Sequence, residues 1–258
     1  MTGALPPAPP ALPEGAFRDR VVLITGATGG FGRALAREAA RAGATLVLLG
    51  RKVPALERLY DELVQLGAPQ PALYPLDLQG AAAQDYEQLA QSIAGELGGL
   101  HGIVHAAAQF EGLGSLELTD PQAWLGTLHA NLSAPLVLTR ACMPLLERSQ
   151  GSVVFVLDDP ERTGRALWGA YGIAKQALAG AVRQLDQECE HNGVRVHGFL
   201  PGPMRTGLRA KAYMAEDPAG IAPPDAYAPA CLWLLTGAAG EWRGRVADAR
   251  GQALAGAG

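Results

Sequence analysis

The segment Gly151 to Lys175 reads GSVVFVLDDPERTGRALWGAYGIAK. It starts as an apolar strand and ends on Tyr171 and Lys175, four residues apart. That spacing puts both side chains on one face of a helix. A free phenol ionises near pH 10, and a neighbouring ammonium favours the phenolate. The pair is therefore a candidate acid–base unit that gives or takes a proton near working pH. Two acids, Asp158 and Asp159, stand at the end of the strand that leads into it. They set the question of which charge that unit sees.

A second constellation lies near the start of the chain. After the apolar run VVLITG (21–26) comes TGATGGFGRAL, in which Gly26, Gly30 and Gly32 punctuate a turn that also holds Thr28 and Phe31. Glycines let a backbone approach a pyrophosphate, and the helix that follows offers free N–H groups and a positive dipole end. Placed between a first strand and a first helix, the turn reads as a dinucleotide site. The next strand ends LLGRK. Gly50 stands where an NAD site usually puts an acid for the ribose 2′-hydroxyl. Arg51 and Lys52 follow, and a guanidinium suits a 2′-phosphate through paired, charge-assisted hydrogen bonds. NADP(H) is expected ahead of NAD(H).

These residues need a frame. Apolar runs at 21–26, 45–50, 71–78, 101–108, 152–157, 194–202 and 243–251 read as strands. Helical patterns fill 31–43, 54–67, 81–97, 121–148, 168–191 and 230–237, the long fourth one opened by Thr119, Asp120 and Pro121. Alternating strands and helices predict an α/β fold, a doubly wound parallel sheet of the Rossmann type in a single domain. Ligands in such sheets sit beyond the carboxyl ends of the strands. Residues 1–16, rich in proline and alanine, read as a flexible or polyproline-like arm, and 17–258 as the domain.

Composition narrows the function classes. The 258 residues carry a net charge of −4, without the basic stripe of a nucleic-acid binder. Cys142, Cys189 and Cys231 lie far apart and lack metal spacing, so they read as free thiols in a reducing cytoplasm, with no metal site. The first residues lack the basic and apolar regions of a secretion signal. The run LSAPLVLTRACMPLL is too short and too broken by Pro135, Arg140 and Pro144 to cross a membrane.

Taken in order, TGATGGFG (25–32), LDL (76–78), Asn131, YGIAK (171–175) and Pro201-Gly202 make the chain resemble the short-chain dehydrogenase/reductase family, from about Asp19 to Gly251. The resemblance implies an oxidoreductase acting on a small-molecule carbonyl or secondary alcohol. It gives Tyr171 the acid–base role and has Lys175 lower its pKa and hold the nicotinamide ribose. Asn131 would support a water that links the lysine to solvent. Asp77 and Leu78 would line the adenine, and Ala107, Pro201 and Gly202 would complete the cofactor site. Thr206 would reach the carboxamide, and 203–224 would form the substrate lid. Met204, Leu208, Tyr213 and Met214 would offer that lid an apolar face, joined by Phe110, Leu157 and Trp168. A homodimer or homotetramer is implied in the same way.

The chain departs from the family twice. Ala106, Ala107 and Ala108 replace an Asn-Ala-Gly triplet, and Ala108 is expected to crowd the ribose. The family's serine lies thirteen residues before the tyrosine, and here that position is Asp158. An ionised carboxylate cannot donate to a carbonyl oxygen, and it raises the tyrosine pKa. A protonated one can donate as serine does. A third option pairs Asp158 with Lys175 or with a cationic substrate. Three readings follow: an NADP-dependent oxidoreductase, a non-catalytic NADP(H)-binding sensor or scaffold, and an enzyme of altered chemistry with Asp158 as its own acid or base.

Overall fold

The computed structural model describes residues 2–4 and 12–250. Eight strands form one sheet: β1 (Thr2–Ala4), β2 (Val21–Thr25), β3 (Thr45–Gly50), β4 (Ala72–Pro75), β5 (Gly102–His105), β6 (Ser152–Val156), β7 (Arg195–Leu200) and β8 (Val246–Asp248). Their order is β1-β8-β7-β6-β5-β2-β3-β4, and every neighbouring pair is parallel. The helices are α1 (Gly30–Arg41), α2 (Val53–Gln65), α3 (Ala83–Leu97), α4 (Pro121–Leu128), α5 (Ala134–Ser149), α6 (Pro160–Thr163), α7 (Gly169–Glu188), α8 (Gly207–Ala212) and α9 (Ala228–Trp233).

The central strands are mostly apolar and buried because both faces of the sheet are covered. Side chains alternate between the faces. Val22, Ile24, Leu46 and Leu48 pack with Leu35 of α1, Leu56 and Leu59 of α2 and Cys231 of α9. Leu23, Val47, Leu49 and Ile103 pack on the other side with Leu89 of α3, Leu138 of α5 and Leu178 of α7. Each fully buried leucine or isoleucine contributes roughly 2 kcal/mol from removal of its surface from water. The doubly wound parallel sheet is the one expected from the sequence.

The ladder ends sooner than the apolar runs do. The expected strands at 71–78, 101–108, 194–202 and 243–251 pair only over Ala72–Pro75, Gly102–His105, Arg195–Leu200 and Val246–Asp248. Residues beyond each strand's carboxyl end, such as 76–78, 106–108 and 201–202, form loops over one edge of the sheet.

Two further expectations are corrected. The arm is not wholly free: Thr2–Ala4 add a strand beside β8, with Thr2 opposite Val246 and Ala4 opposite Asp248. This covers what would otherwise be an open edge. Leu12 and Ala16 pack against the core as well, and residues 1 and 5–11 lie outside the described residues. The helix expected over 121–148 is broken by a π-helical turn, His129–Ser133, between α4 and α5. Pro135 has no N–H to give the Asn131 carbonyl, so the i→i−4 ladder fails at that turn.

Among the described residues no helix is long and apolar enough to cross a membrane. None of their His, Cys, Asp and Glu side chains gather in threes to hold a metal ion.

Candidate active site

One cleft of about 600 Å³ opens beyond the carboxyl ends of the strands. Its floor at one end is the β2–α1 turn. Gly26 has φ +64°, and a Cβ there would lie 2.6 Å from Ala107 Cα. A Cβ on Gly32 would lie 2.1 Å from the Gly26 carbonyl oxygen. The turn therefore accepts only glycine at both places. No side chain caps the start of α1, so its first N–H groups are left for another acceptor. Thr28, Gly30 and Phe31 line the cleft beside them. This is a cradle shaped for phosphate oxygens.

The end of β3 forms the next wall. A Cβ on Gly50 would stand 3.3 Å from Leu56 Cδ2 and 3.4 Å from Thr28 Oγ1, in contact with the ends of both side chains. Arg51, Lys52 and Arg58 line the cleft at this end. Arg51 Nη1 donates to Gln109 Oε1 at 3.3 Å. Arg58 comes from the second turn of α2 and was not expected from the sequence, because only the fold turns that helix toward the cleft. Asp77 and Leu78 line the opposite side, with Asp77 Oδ1 accepting from the Gln79 N–H at 3.1 Å. This end gathers three cations and leaves no acid at Gly50, a set that fits a phosphorylated ribose.

The loops after β5 and β7 close the middle. Ala106, Ala107 and Ala108 line the cleft, and the Ala107 N–H donates to Thr25 Oγ1 at 3.2 Å. Pro201 and Gly202 follow β7, and a Cβ on Gly202 would collide with the Tyr227 hydroxyl at 2.1 Å. Thr206 also lines the cleft, but its hydroxyl accepts from the Arg209 N–H at 3.3 Å and so caps α8. Met204 and Leu208 face the cleft. Met214 does not: it is 91% exposed and adds nothing to an apolar lid face.

At the far end stand Tyr171, Lys175 and Asp158. The Tyr171 hydroxyl donates to Asp158 Oδ2 at 2.7 Å. Asp158 Oδ1 accepts from the Asp159 N–H at 2.7 Å and from Arg162 Nη2 in an ion pair. The expected option of a pair between Asp158 and Lys175 is not what forms. Lys175 Nζ donates to the Val156 carbonyl at 2.7 Å and lies 5.8 Å from the centre of the Tyr171 ring. Arg162 takes that place instead. Asp159 caps α6 through the Glu161 N–H, Pro160 follows the cap, and the single turn lifts Arg162 back over Asp158. The spacing of four in DDPER carried this signal.

The electrostatics follow from burial. Burial first, and Asp158 second, hold the Tyr171 pKa well above 10, while Arg162 acts in the opposite sense. Burial pulls the Lys175 pKa down to about 8, against the pull of Asp158. Phe110 and Trp168 pack on Tyr171 with ring centres 5.1 and 6.0 Å away. The three rings form a small buried apolar cluster beside the cleft.

Asn131 stands one layer behind the cleft in the π-helical turn. Its Nδ2 donates to the carbonyls of Thr127 and Gln109, each at 2.8 Å, and its Oδ1 accepts from the Gln109 N–H at 3.1 Å. It ties the loop after β5 to the helix that carries it. Every other catalytic or cofactor-binding residue expected from the sequence lines the one cleft.

Comparison with known proteins agrees with this geometry. The short chain dehydrogenase family pattern matches residues 20–217. Uncharacterized oxidoreductase YciK of Escherichia coli (strain K12) is 37% identical over 220 residues, 85% of this chain and 87% of its own. A short chain dehydrogenase of Shigella flexneri 2a str. 301 solved with NADP superposes with a TM-score of 0.87 at 35% identity, covering 91% of this chain and 98% of that one. A homologous structure from Escherichia coli CFT073 with NADPH gives 0.87 at 36% identity, over 92% and 99%. Sequence pattern, length of match and topology agree from the glycine turn to the lid, and the chain belongs to the short chain dehydrogenase family of oxidoreductases.

Proposed function

We propose that this protein is an NADP(H)-dependent oxidoreductase that interconverts a carbonyl compound and its secondary alcohol, with Tyr171 as the proton donor and acceptor. The observation that carries the reading is the continuity of the cleft. One cavity runs from the glycine cradle past Arg51, Lys52 and Arg58 to the Tyr171 hydroxyl. Two of the similar structures were solved with NADP or NADPH, which supports the same cofactor here.

Bound in the cleft, the nicotinamide would supply or accept the hydride. The chain's own residues do the rest. Gly26, Thr28, Gly30, Phe31 and Gly32 hold the phosphates, and Arg51 with Arg58 grips the 2′-phosphate. Asp77, Leu78, Ala107, Pro201, Gly202 and Thr206 complete the walls. Tyr171 passes its proton to the carbonyl oxygen in reduction and takes it back in oxidation. A buried ammonium at Lys175 helps stabilise the phenolate this leaves. Asn131 positions the β5 loop that faces the substrate.

One observation favours a second reading. The Tyr171 hydroxyl proton already points at a carboxylate. A protein held permanently in that arrangement would bind NADP(H) without turning over carbonyls. Titration with NADPH, NADP and NADH by fluorescence, followed by a carbonyl panel on wild type and Asp158→Ser, separates the two. NADPH binding with wild-type turnover supports the oxidoreductase. NADPH binding with turnover only in Asp158→Ser supports the silent binder. Absence of binding by any nicotinamide cofactor overturns both.

A further inference from the structure

Arg162 lies on the inner wall of the cleft, four residues from the acid that departs from the family's pattern. We infer that Arg162 is the positioning residue that makes this acid compatible with proton transfer, so that Asp158 and Arg162 act on Tyr171 as one unit. The inference rests on the proposed role of Tyr171.

Three observations lead to it. First, Asp158 has two oxygens with separate duties. Oδ2 takes the tyrosine hydroxyl, while Oδ1 is held by Arg162 and by the Asp159 N–H. When a substrate oxygen enters, the hydroxyl can leave Oδ2 and the carboxylate still keeps two strong donors. Second, the arginine is placed for this duty and for little else. Its guanidinium lies 5.3 Å from the Trp168 ring centre and 5.9 Å from that of Tyr213, and its Nε is buried with no partner among the described residues. A cation held in an aromatic slot with a donor unused is costly unless its charge is needed nearby. Third, proton transfer leaves a phenolate 2.7 Å from a carboxylate oxygen. Like charges at that distance oppose the transfer, and Arg162 offsets them.

The charged groups around Tyr171 are few. Asp158 and Arg162 face it from the β6–α7 connection, and Lys175 from its own helix. On the lid, Arg209 is paired with Glu216 at 2.6 Å, and Lys211 donates to the Phe110 carbonyl at 3.0 Å. Arg162 is thus the cation in direct contact with Asp158.

The test is Arg162→Gln in two backgrounds, wild type and Asp158→Ser, with Arg162→Lys as the variant that keeps the charge. With NADPH and a turned-over carbonyl, Arg162→Gln is expected to lower kcat about 100-fold in wild type, the size of removing one charge-stabilising donor. In the Asp158→Ser background the same change is expected to cost less than about 3-fold, because no acid is left to neutralise. Arg162→Lys is expected to retain most of kcat. An arginine that only supports the fold would cost the same in both backgrounds, and that equality overturns the inference.

A second readout needs neither substrate nor cofactor. Ultraviolet titration of the phenol, with Tyr171→Phe as the blank, should place its ionisation lowest in Asp158→Ser. Arg162→Gln in wild type should raise it further, and the same change in Asp158→Ser should leave it nearly unchanged. A midpoint that Arg162→Gln leaves unchanged in wild type, or shifts equally in both backgrounds, overturns the inference even if the protein proves not to reduce carbonyls; absence of turnover with the expected midpoints overturns only the functional reading.

Discussion

The hydroxyl of Tyr171 donates to Asp158 Oδ2 across 2.7 Å, and the two residues are thirteen apart in the chain. The strand β6 delivers the acid, the helix α7 delivers the phenol, and α6 lies between them. A carboxylate so placed accepts the phenol's proton in a hydrogen bond and, while ionised, donates none. The consequences of that contact can be measured.

Tyr171→Phe removes the proton and leaves the ring in its aromatic box. kcat for carbonyl reduction is expected to fall by about 10² to 10⁴-fold, the usual span for loss of a general acid. NADPH affinity should stay within about 3-fold, because the phenol oxygen is held by Asp158 and a threefold change is under 1 kcal/mol. Steady-state kinetics and fluorescence titration check the split. Loss of both together would place Tyr171 in cofactor binding instead.

Cofactor choice should reside at the end of β3. Arg51→Glu or Arg58→Glu is expected to weaken NADPH binding by about 10- to 100-fold, the size of one charge-assisted hydrogen bond. NADH binding should change little, because NADH carries no 2′-phosphate for the guanidinium to grip. Parallel titrations with both cofactors decide it. Equal weakening for both would mean that these arginines serve the pyrophosphate.

Gly32→Ala puts a methyl 2.1 Å from the Gly26 carbonyl oxygen, closer than any real Cβ comes. The turn must shift, which costs about 1 to 3 kcal/mol in a packed site. A lower Tm and loss of NADPH binding are expected. Gly67→Ala serves as the contrast, since a Cβ there meets nothing within 4 Å although its φ of +79° adds backbone strain. It should lower Tm and keep NADPH binding.

The stability of the chain should depend on pH at both ends. Burial lowers the pKa of His105 to about 3 and that of His197 to about 4. Both are neutral when folded, while the unfolded chain protonates them below about 6.5. The unfolded state then binds more protons, so stability falls as pH drops from about 6.5 toward those values, by roughly 1.4 kcal/mol per unit for each histidine. Lys175 acts on the alkaline side. Its folded pKa of about 8 lies below its ordinary 10.5, so its burial costs less as pH rises from 8 to 10.5. Over that range wild type should gain on Lys175→Met by a few kcal/mol. Urea unfolding at about pH 5, 7, 8 and 10 brackets these windows and measures both slopes. A flat difference between wild type and Lys175→Met would show that the ammonium is solvated.

Several features were legible along the chain. Val22, Leu23 and Ile24 announce a strand buried on both faces, and β2 is such a strand. Gly26 and Gly32 mark the turn after β2 because a positive φ at the one and a close backbone approach at the other need glycine, and both needs are local. Tyr171 and Lys175 share a helix face because helix geometry is local too. The break at His129–Ser133 was less legible. Pro135 disqualifies a membrane span at first sight, but its missing N–H also loosens the turn that holds Asn131.

Neighbours along the chain thus account for the strand and helix periods, the glycine turn, the tyrosine–lysine pair and the acid thirteen residues before the tyrosine. Which charges meet is a matter of packing. By spacing alone, Asp158 could pair with Lys175 or with Arg162. The fold turned Lys175 to the Val156 carbonyl and set Arg162 against the rings of Trp168 and Tyr213, with its guanidinium on the carboxylate. Charge pairing acts through space over a few ångströms, so it answers to the packed arrangement of β6, α6, α7 and the lid and not to separation in sequence.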